Sequence, residues 1–584
     1  MRLNKFLVMA FAASLAMTSC SNDDVTDDGP DSGKGEVTGQ KTWAMLNFGI
    51  GEVVNTRGVG VNGDEVGETN ENSVNTIDLY IFDENDKLEL SMQVTQAGGT
   101  TDTYDKNVLA PATPVEVTSG KKTFCVILNK CGVIVPAKGT ALSDFLTQQQ
   151  TVTDYAGLIG SEMMTTSNNL MMTGVTKDVT LHAGVSKDNV TAALATGSTA
   201  YEANNVITLY VNRNVAKLDL KLKGEGATAL DVKNGDVKLA TLKSVTYQVN
   251  NLNKSAYYFL QEQDADQVYP TPFYIEPWST DLTNQWFNQE TDAVAAGTTL
   301  YLTPNTHGKN NAKAGNTTYT LVKGVYVPEA GTDKYVVRGY DKTTKKFTYG
   351  EAADLTADQV SIFSYDYSVA FATTGADMDL ETSANTVKAQ LQALVAKRVA
   401  EKYSDERNIT ADDVEFSANE AAYEDLVKTT ESKVYAYLVP VTYTNGTLLN
   451  KSGHYTIEMK RWIKPNEGDA TEDNNFNLTP LTIGVYKVVS DGGSATGLEC
   501  YYRVNTFTKE FEKTHPMYYS VVRNVSYHVT INSVAQIGDT TGGNIDLPGE
   551  GEQDKPIEET TTFMQCSISI YKWIGSDMDV DLGK

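Results

Sequence analysis

Short runs in which apolar and polar residues alternate recur along most of this chain. Residues 42–50 (TWAMLNFGI) place Ala44, Leu46, Phe48 and Ile50 at a period of two, so that all four share one face of a strand. Further β-like runs lie at Ile77–Phe82, 123–128, 206–211, 218–222, 244–249, 257–260, Thr299–Leu302, 317–322, 434–439, 455–459, 481–488, 518–522 and 527–531. Many are separated by Gly, Asn, Asp and Thr clusters, which predicts antiparallel sheets packed as sandwiches. Residues 384–403 differ: Val387, Leu391, Leu394, Val395 and Val399 fall at helical spacing, with Ser383 as N-cap. A second, shorter helix is expected at 420–428, so that 384–428 forms a helical insertion on a β protein.

The two ends break the pattern. Arg2 and Lys5 precede an apolar run, residues 6–17, too short to span about 30 Å of hydrocarbon, and Thr18-Ser19 lead into Cys20. This reads as a secretory leader of the bacterial lipoprotein kind, with Cys20 acylated as the new first residue; plain secretion with cleavage nearby is the other reading. Residues 21–40 hold six acids and one lysine and form an extended tether. After the first strand, residues 51–68 lack useful periodicity and contain a single basic residue, Arg57, followed by Gly58. Near the other end, the Gly- and acid-rich linker 539–560 leads into a last strand at 561–582. Met564, Cys566, Ile568 and Ile570 share a face there, and Trp573, Val580 and Leu582 extend the pattern. Held beyond a linker, this strand is expected to lack a partner in its own domain.

With 584 residues, the chain is long enough for two to four domains. Its 48 Lys and Arg against 75 Asp and Glu give a formal charge of −27, which disfavours nucleic acid and anionic membrane surfaces. Cys125, Cys131, Cys500 and Cys566 include no C-x-x-C pair, and two of them sit in alternating runs as small hydrophobes would. None of the five histidines begins H-E-x-x-H, Gly492–Thr496 lacks the last glycine of G-x-S-x-G, and no phosphate-binding loop is present. Asp83-Glu84-Asn85-Asp86-Lys87 lacks the glycine and distal glutamate of a calcium loop and reads as a hairpin turn. No catalytic residue, metal or cofactor is expected.

What remains is a detachable first strand and an orphan last one. An open groove in a sheet must be covered, and a strand of the same or another chain can cover it by main-chain hydrogen bonds with alternate side chains in pockets. If residues 42–50 fill such a groove until a protease cuts at Arg57–Gly58, a neighbour's last strand can enter.

Several segments resemble the Bacteroidetes fimbrillins, in particular the shaft subunit of the minor, Mfa-type fimbria. They are the lipoprotein leader, Ile77-Asp78-Leu79-Tyr80-Ile81-Phe82-Asp83, Ser119-Gly120-Lys121-Lys122-Thr123-Phe124, Leu170-Met171-Met172-Thr173-Gly174, residues 316–324 (NTTYTLVKG) and Arg523-Asn524-Val525-Ser526-Tyr527. The resemblance implies two transthyretin-like antiparallel β-sandwich domains, outer-membrane transit as a lipoprotein, and removal of the first strand by an Arg-specific protease. It also implies homopolymerisation by insertion of the C-terminal strand into the next subunit, with anchor and tip accessory subunits and host or bacterial surface receptors as further partners. The expected organisation is a leader at 1–20, a propeptide at 21–57, sandwiches at 58–223 and 224–538 with the helical insertion in the second, and a linker and donor strand at 539–584. Arg57 also fits an ordinary solvated loop arginine, and the last strand also fits an edge of its own sandwich. The rival functions are a monomeric surface lipoprotein that binds glycans or host proteins, and an anchor or tip subunit.

Overall fold

Alternating strands satisfy their main-chain groups only by pairing, and that requirement organises the molecule. The computed structural model describes residues 38–50, 63–94, 108–109, 114–130, 136–151, 170–196, 205–263, 273–277, 291–306, 312–313, 315–328, 336–341, 346–350, 363–365, 368–373, 391–392, 395–396, 399, 410–417, 434–440, 453–460, 481–491, 494–506, 515–535, 537–539 and 564–574. Its N-terminal part contains β1 (Lys41–Ile50), β2 (Gly63–Val66), the one-turn α1 (Thr69–Asn72), β3 (Ile77–Phe82), β4 (Leu88–Val94), β5 (Val108–Leu109), β6 (Val115–Thr118), β7 (Gly120–Leu128), α2 (Leu142–Leu146), β8 (Gln149–Thr151), β9 (Met172–Leu181), α3 (Lys187–Thr196) and β10 (Val206–Arg213).

One sheet runs β4-β3-β7-β9-β10-β1-β5, with β6 also paired to β1. Its pairings are antiparallel except β1 on β10. Alternation along β3 and β7 fills two cores. Ile77, Leu79 and Ile81 meet Phe124, Val126 and Leu128 in the larger one. Tyr80, Phe82, Cys125 and Ile127 face the other way, onto α2 and Phe259. Phe145 of α2 anchors this smaller core, its ring centroid 4.7 Å from Tyr80, 5.4 Å from Phe82 and 5.1 Å from Phe259 in tilted contacts. Between β3 and β4 the chain turns at 83–87, where Asp83 Oδ1 accepts the backbone N–H of Asn85 and of Lys87 at 2.9 Å each and Asp86 adopts φ 56°. The predicted hairpin turn is thus present.

β11 (Ala216–Leu222), β12 (Ala229–Asn234) and β13 (Val237–Asn250) open the C-terminal part. β11 lies between Thr299–Leu302, antiparallel, and Val525–Val534, parallel. β13 pairs with Tyr319–Pro328, and the sheet continues to Ser494–Asn505 and Leu481–Asp491. Leu218, Leu220, Leu242, Val322, Tyr527 and Val529 share the core enclosed by these strands. The molecule is mainly β, as the alternation predicts.

Three readings need adjustment. Residues 518–522 form no strand: Tyr518 and Tyr519 close a turn, in which Ser520 Oγ donates to the Pro516 carbonyl at 2.8 Å and the Tyr518 N–H to that of His515 at 3.0 Å, and Val521 makes only an isolated bridge to Asn305. The 257–260 run leaves the strand after Ser255–Tyr257, and Tyr258 and Phe259 turn into the smaller core instead. Within 384–428, Leu391, Val395 and Val399 are helical and buried, but a strand, Val414–Ser417, follows them and pairs with Val434–Pro440; residues 420–428 lie outside the described part.

At Gly174, on β9, the sheet has no room for a side chain: a Cβ there would stand 2.1 Å from the Tyr210 carbonyl oxygen on β10. Gly174→Ala is expected to cost about 1–3 kcal/mol by overpacking, read as a lower denaturant midpoint at unchanged slope.

Candidate functional site

β1 sits inside the sheet rather than on its rim. Residues 41–44 run antiparallel to β6, Phe48 and Gly49 face β5, and residues 45–50 run parallel to β10 with Leu46 opposite Ile207 and Phe48 opposite Leu209. Ala44 and Leu46, both within 1% of full burial, enter the larger N-terminal core beside Val115, Val117 and Val211. The sequence pattern predicts one apolar face for β1; over residues 42–46 the structure buries both. Met45 points the other way, against Val185, Val190, Ala193 and Val206, because α3 covers that side. Trp43 packs at the margin of this patch, with Lys187 Nζ 5.5 Å from its ring centroid.

The start of β1 is held by Asn205, which occupies the left-handed region at φ 55° just before β10. Its amide donates to Thr42 Oγ1, the Trp43 carbonyl and the His182 carbonyl at 3.0–3.1 Å, while its Oδ1 accepts the His182 N–H at 2.8 Å. Two main-chain bonds, Trp43 N–H to Val185 and Met45 N–H to Asn205, complete the anchor. Withdrawing β1 would leave a slot between β10 and β5/β6, with main-chain groups unpaired on both walls and an apolar floor.

The expected orphan strand proves to have a home. Met564–Ile574 lies antiparallel on Val525–Val534, with Met564 opposite Val534, Ile568 opposite Val529 and Lys572 opposite Val525. β11 takes only one edge of Val525–Val534, so the other edge accepts any strand of matching alternation, and the sequence does not say whose. Met564 and Ile568 are buried in the C-terminal core, and Cys566 packs beside them. Burial pushes the Cys566 thiol up to about 12 and the Cys500 thiol up to about 11. Ile570 and Trp573 belong to the same strand, and Phe48 and Ile50 to β1. Cys20, Arg57, Gly58, Val580 and Leu582 lie outside the described residues.

β2 was invisible in the sequence. Four residues with one exposed valine show no periodicity, yet β2 pairs in parallel with the end of the C-terminal strand, Gly63 opposite Tyr571 and Val66 opposite Ile574. Its Glu65 meets an ionic cluster: Oε2 lies 2.5 Å from His528 Nε2, and Oε1 lies 2.6 Å from Lys217 Nζ. His528 Nδ1 in turn lies 2.8 Å from Asp219 Oδ1, which has Lys221 nearby, and the Tyr571 ring stands edge-on to the imidazole at 5.2 Å. Hydrogen bonds to Asp219 and Glu65 hold His528 well above the ordinary histidine value, at about 9. Burial raises Glu65, but hydrogen bonds from His528, Lys217 and Ser526 outweigh it and bring the carboxyl down to about 2.

Deeper in the same junction, Arg213 is fully buried. It donates to the Glu71 carbonyl at 3.2 Å and to Asn524 Oδ1 at 3.1 Å, with Asn72 as a third partner. Burial lowers its pKa to about 10, which leaves it charged. Among the described residues no helix is long and apolar enough to cross a membrane, and no group of three or more His, Cys, Asp or Glu is placed to hold a metal ion.

Known proteins match at both ends of this arrangement. The family described as "Major fimbrial subunit protein (FimA)" matches residues 44–240, which begin inside β1, and "Major fimbrial subunit protein type IV, Fimbrillin, C-terminal" matches residues 496–579, which include the last strand. The chain is 24% identical over 370 residues to the minor fimbrium subunit Mfa1 of Porphyromonas gingivalis, over 56% of this chain and 68% of that one. Among solved structures, a fimbrilin from P. gingivalis aligns over 92% of this chain and 99% of its own at 10% identity and a TM-score of 0.36. The tip fimbrial protein Mfa3 of the same organism aligns over 91% and 100% at 9% identity and a TM-score of 0.29.

Stability of the full chain is expected to depend on His528 in the alkaline range. A histidine raised from 6.5 to about 9 contributes stability that is complete below 6.5 and is lost as pH rises through about 9. Melting temperatures measured across that range should decline in the wild type, and His528→Gln should flatten the decline. Glu65 acts oppositely, its contribution lost only as pH falls toward about 2.

Proposed function

We propose that the chain, similar to the Bacteroidetes fimbrillins and to Mfa-type relatives, is a structural subunit of a cell-surface fimbrium that associates with other fimbrial subunits, and specifically a shaft subunit assembled by protease-triggered donor-strand exchange. In this reading, the precursor is exported as a lipoprotein through Cys20 and reaches the outer membrane. An Arg-specific protease cuts at Arg57–Gly58. β1 then leaves with the propeptide, and the C-terminal strand of a second copy fills the slot. The fibre supports adhesion to host or bacterial surfaces, with anchor and tip subunits at its ends. The two sandwiches take boundaries near 58–223 and 224–538.

The observation that carries this reading is the placement of β1. A strand paired on both edges and buried on both faces is joined to the rest of the subunit through a stretch that contains one basic residue. Burial of Met45 and Leu46 alone is worth about 1.5–3 kcal/mol each, so an empty slot is unfavourable and a substitute strand gains by filling it. The C-terminal strand has the required chemistry. Met564, Cys566, Ile568 and Ile570 alternate as Ala44, Leu46, Phe48 and Ile50 do. Continuing the same alignment, Ile570 stands at the Ile50 position and Tyr571-Lys572-Trp573-Ile574 runs beyond it. A rival role as a monomeric glycan- or host-protein-binding lipoprotein leaves the removable β1 without a purpose.

Deleting residues 561–584 is expected to leave an exported subunit and to abolish denaturant-resistant, high-mass ladders on gels. The wild-type surface protein should begin at Gly58, and Arg57→Ala should retain the lipidated precursor. Ladders from the truncated chain would end the donor-strand proposal, and fibres from Arg57→Ala would move the cut elsewhere.

A further inference from the structure

β2 pairs with Tyr571–Ile574, the end of the C-terminal strand. That strand is therefore held at home from two sides, by Val525–Val534 along its length and by β2 at its end. β2 itself is pinned. Glu65 reaches the His528 imidazole on Val525–Val534 and the Lys217 ammonium on β11, and Glu71, two residues after β2's following turn begins, binds Lys217 at 3.3 Å and the Tyr301 hydroxyl at 2.9 Å. The residues that hold β2 come from strands that stay in place when the C-terminal strand moves. Gly58 stands only five positions before Gly63, so the proposed cut frees β1 but leaves β2 attached to the mature subunit.

We propose that β2 is an autoinhibitory clasp: by pairing with Tyr571–Ile574 and seating Glu65 on His528 and Lys217, it keeps the C-terminal strand in its own subunit until a neighbour's empty slot competes for it. The inference rests on the donor-strand reading for its purpose, though the clasp itself is a property of a single chain. Removing the negative charge of Glu65 weakens β2's hold on the imidazolium and the ammonium while leaving the strand's main chain free to pair. The end of the C-terminal strand then opens more often, and main-chain amides exposed by that opening exchange faster.

Hydrogen–deuterium exchange on the full-length monomer tests this, comparing wild type with Glu65→Gln. The expected result is exchange at least about tenfold faster across 564–574, with peptides from β11 and from β1 unchanged. Unchanged protection of 564–574 overturns the clasp, and so does an equal loss across β11 and Val525–Val534, since that is a sheet weakened as a whole. Should Glu65→Gln fail to fold, Val66→Pro interrupts β2 at an exposed position without touching the ionic cluster, and the same readings apply. Assembly is scored separately, on the Arg57-cleaved chain. Selectively faster exchange with faster ladder formation supports both ideas; the same exchange with ladders of unaltered rate keeps the clasp and counts against donor-strand exchange.

Discussion

The structure depends on the pairing of main-chain groups along β1. A strand at the rim of a sheet can be lost at the cost of one ladder, but β1 is flanked by β10 on one side and β5/β6 on the other, with Leu46 in one core and Met45 under α3. Its removal uncovers two ladders and two apolar surfaces at once. Few segments could close such a gap, and they must be extended and apolar on one face throughout and on both faces over part of their length.

The second constraint is electrostatic. Where β10 passes into β11, a buried arginine, a lysine and a glutamate meet: Arg213, Lys217 and Glu71. Buried charges of this kind are costly to break and contribute little net stability over an apolar alternative. Their consequence here is geometric, since they fix α1 and β2 against β11 and Val525–Val534, which places β2 on the end of the C-terminal strand.

Much of this fold was legible in the sequence because most strands alternate. Ile77–Phe82 and Thr299–Leu302 match the structure residue for residue, and β1 differs from expectation by one position. Failures occurred where something other than periodicity decides. Residues 518–522 have a strand's composition, but hydrogen bonds back to His515 and Pro516 turn the chain at Tyr518 and Tyr519 and leave Val521 with a single bridge to Asn305. β2 has a single apolar side chain and is specified by its partners' main chain and by Glu65 meeting His528, a pairing across 463 positions. The home of the C-terminal strand stayed the second of two readings for a related reason: alternation states that a strand wants an edge, not which edge.

The most direct test of the central claim uses the native Cys566. In separate variants, a partner cysteine is placed at Ile531, which faces Cys566 in the C-terminal strand's home position, or at Ile207, on the β10 wall of the slot opposite Leu46, whose place Cys566 takes. Crosslinking is then read in monomers and in assembled fibres. The account predicts 531–566 links within single chains of the monomer and 207–566 links between chains of the fibre. Fibres whose subunits form only the intrachain 531–566 link would contradict it.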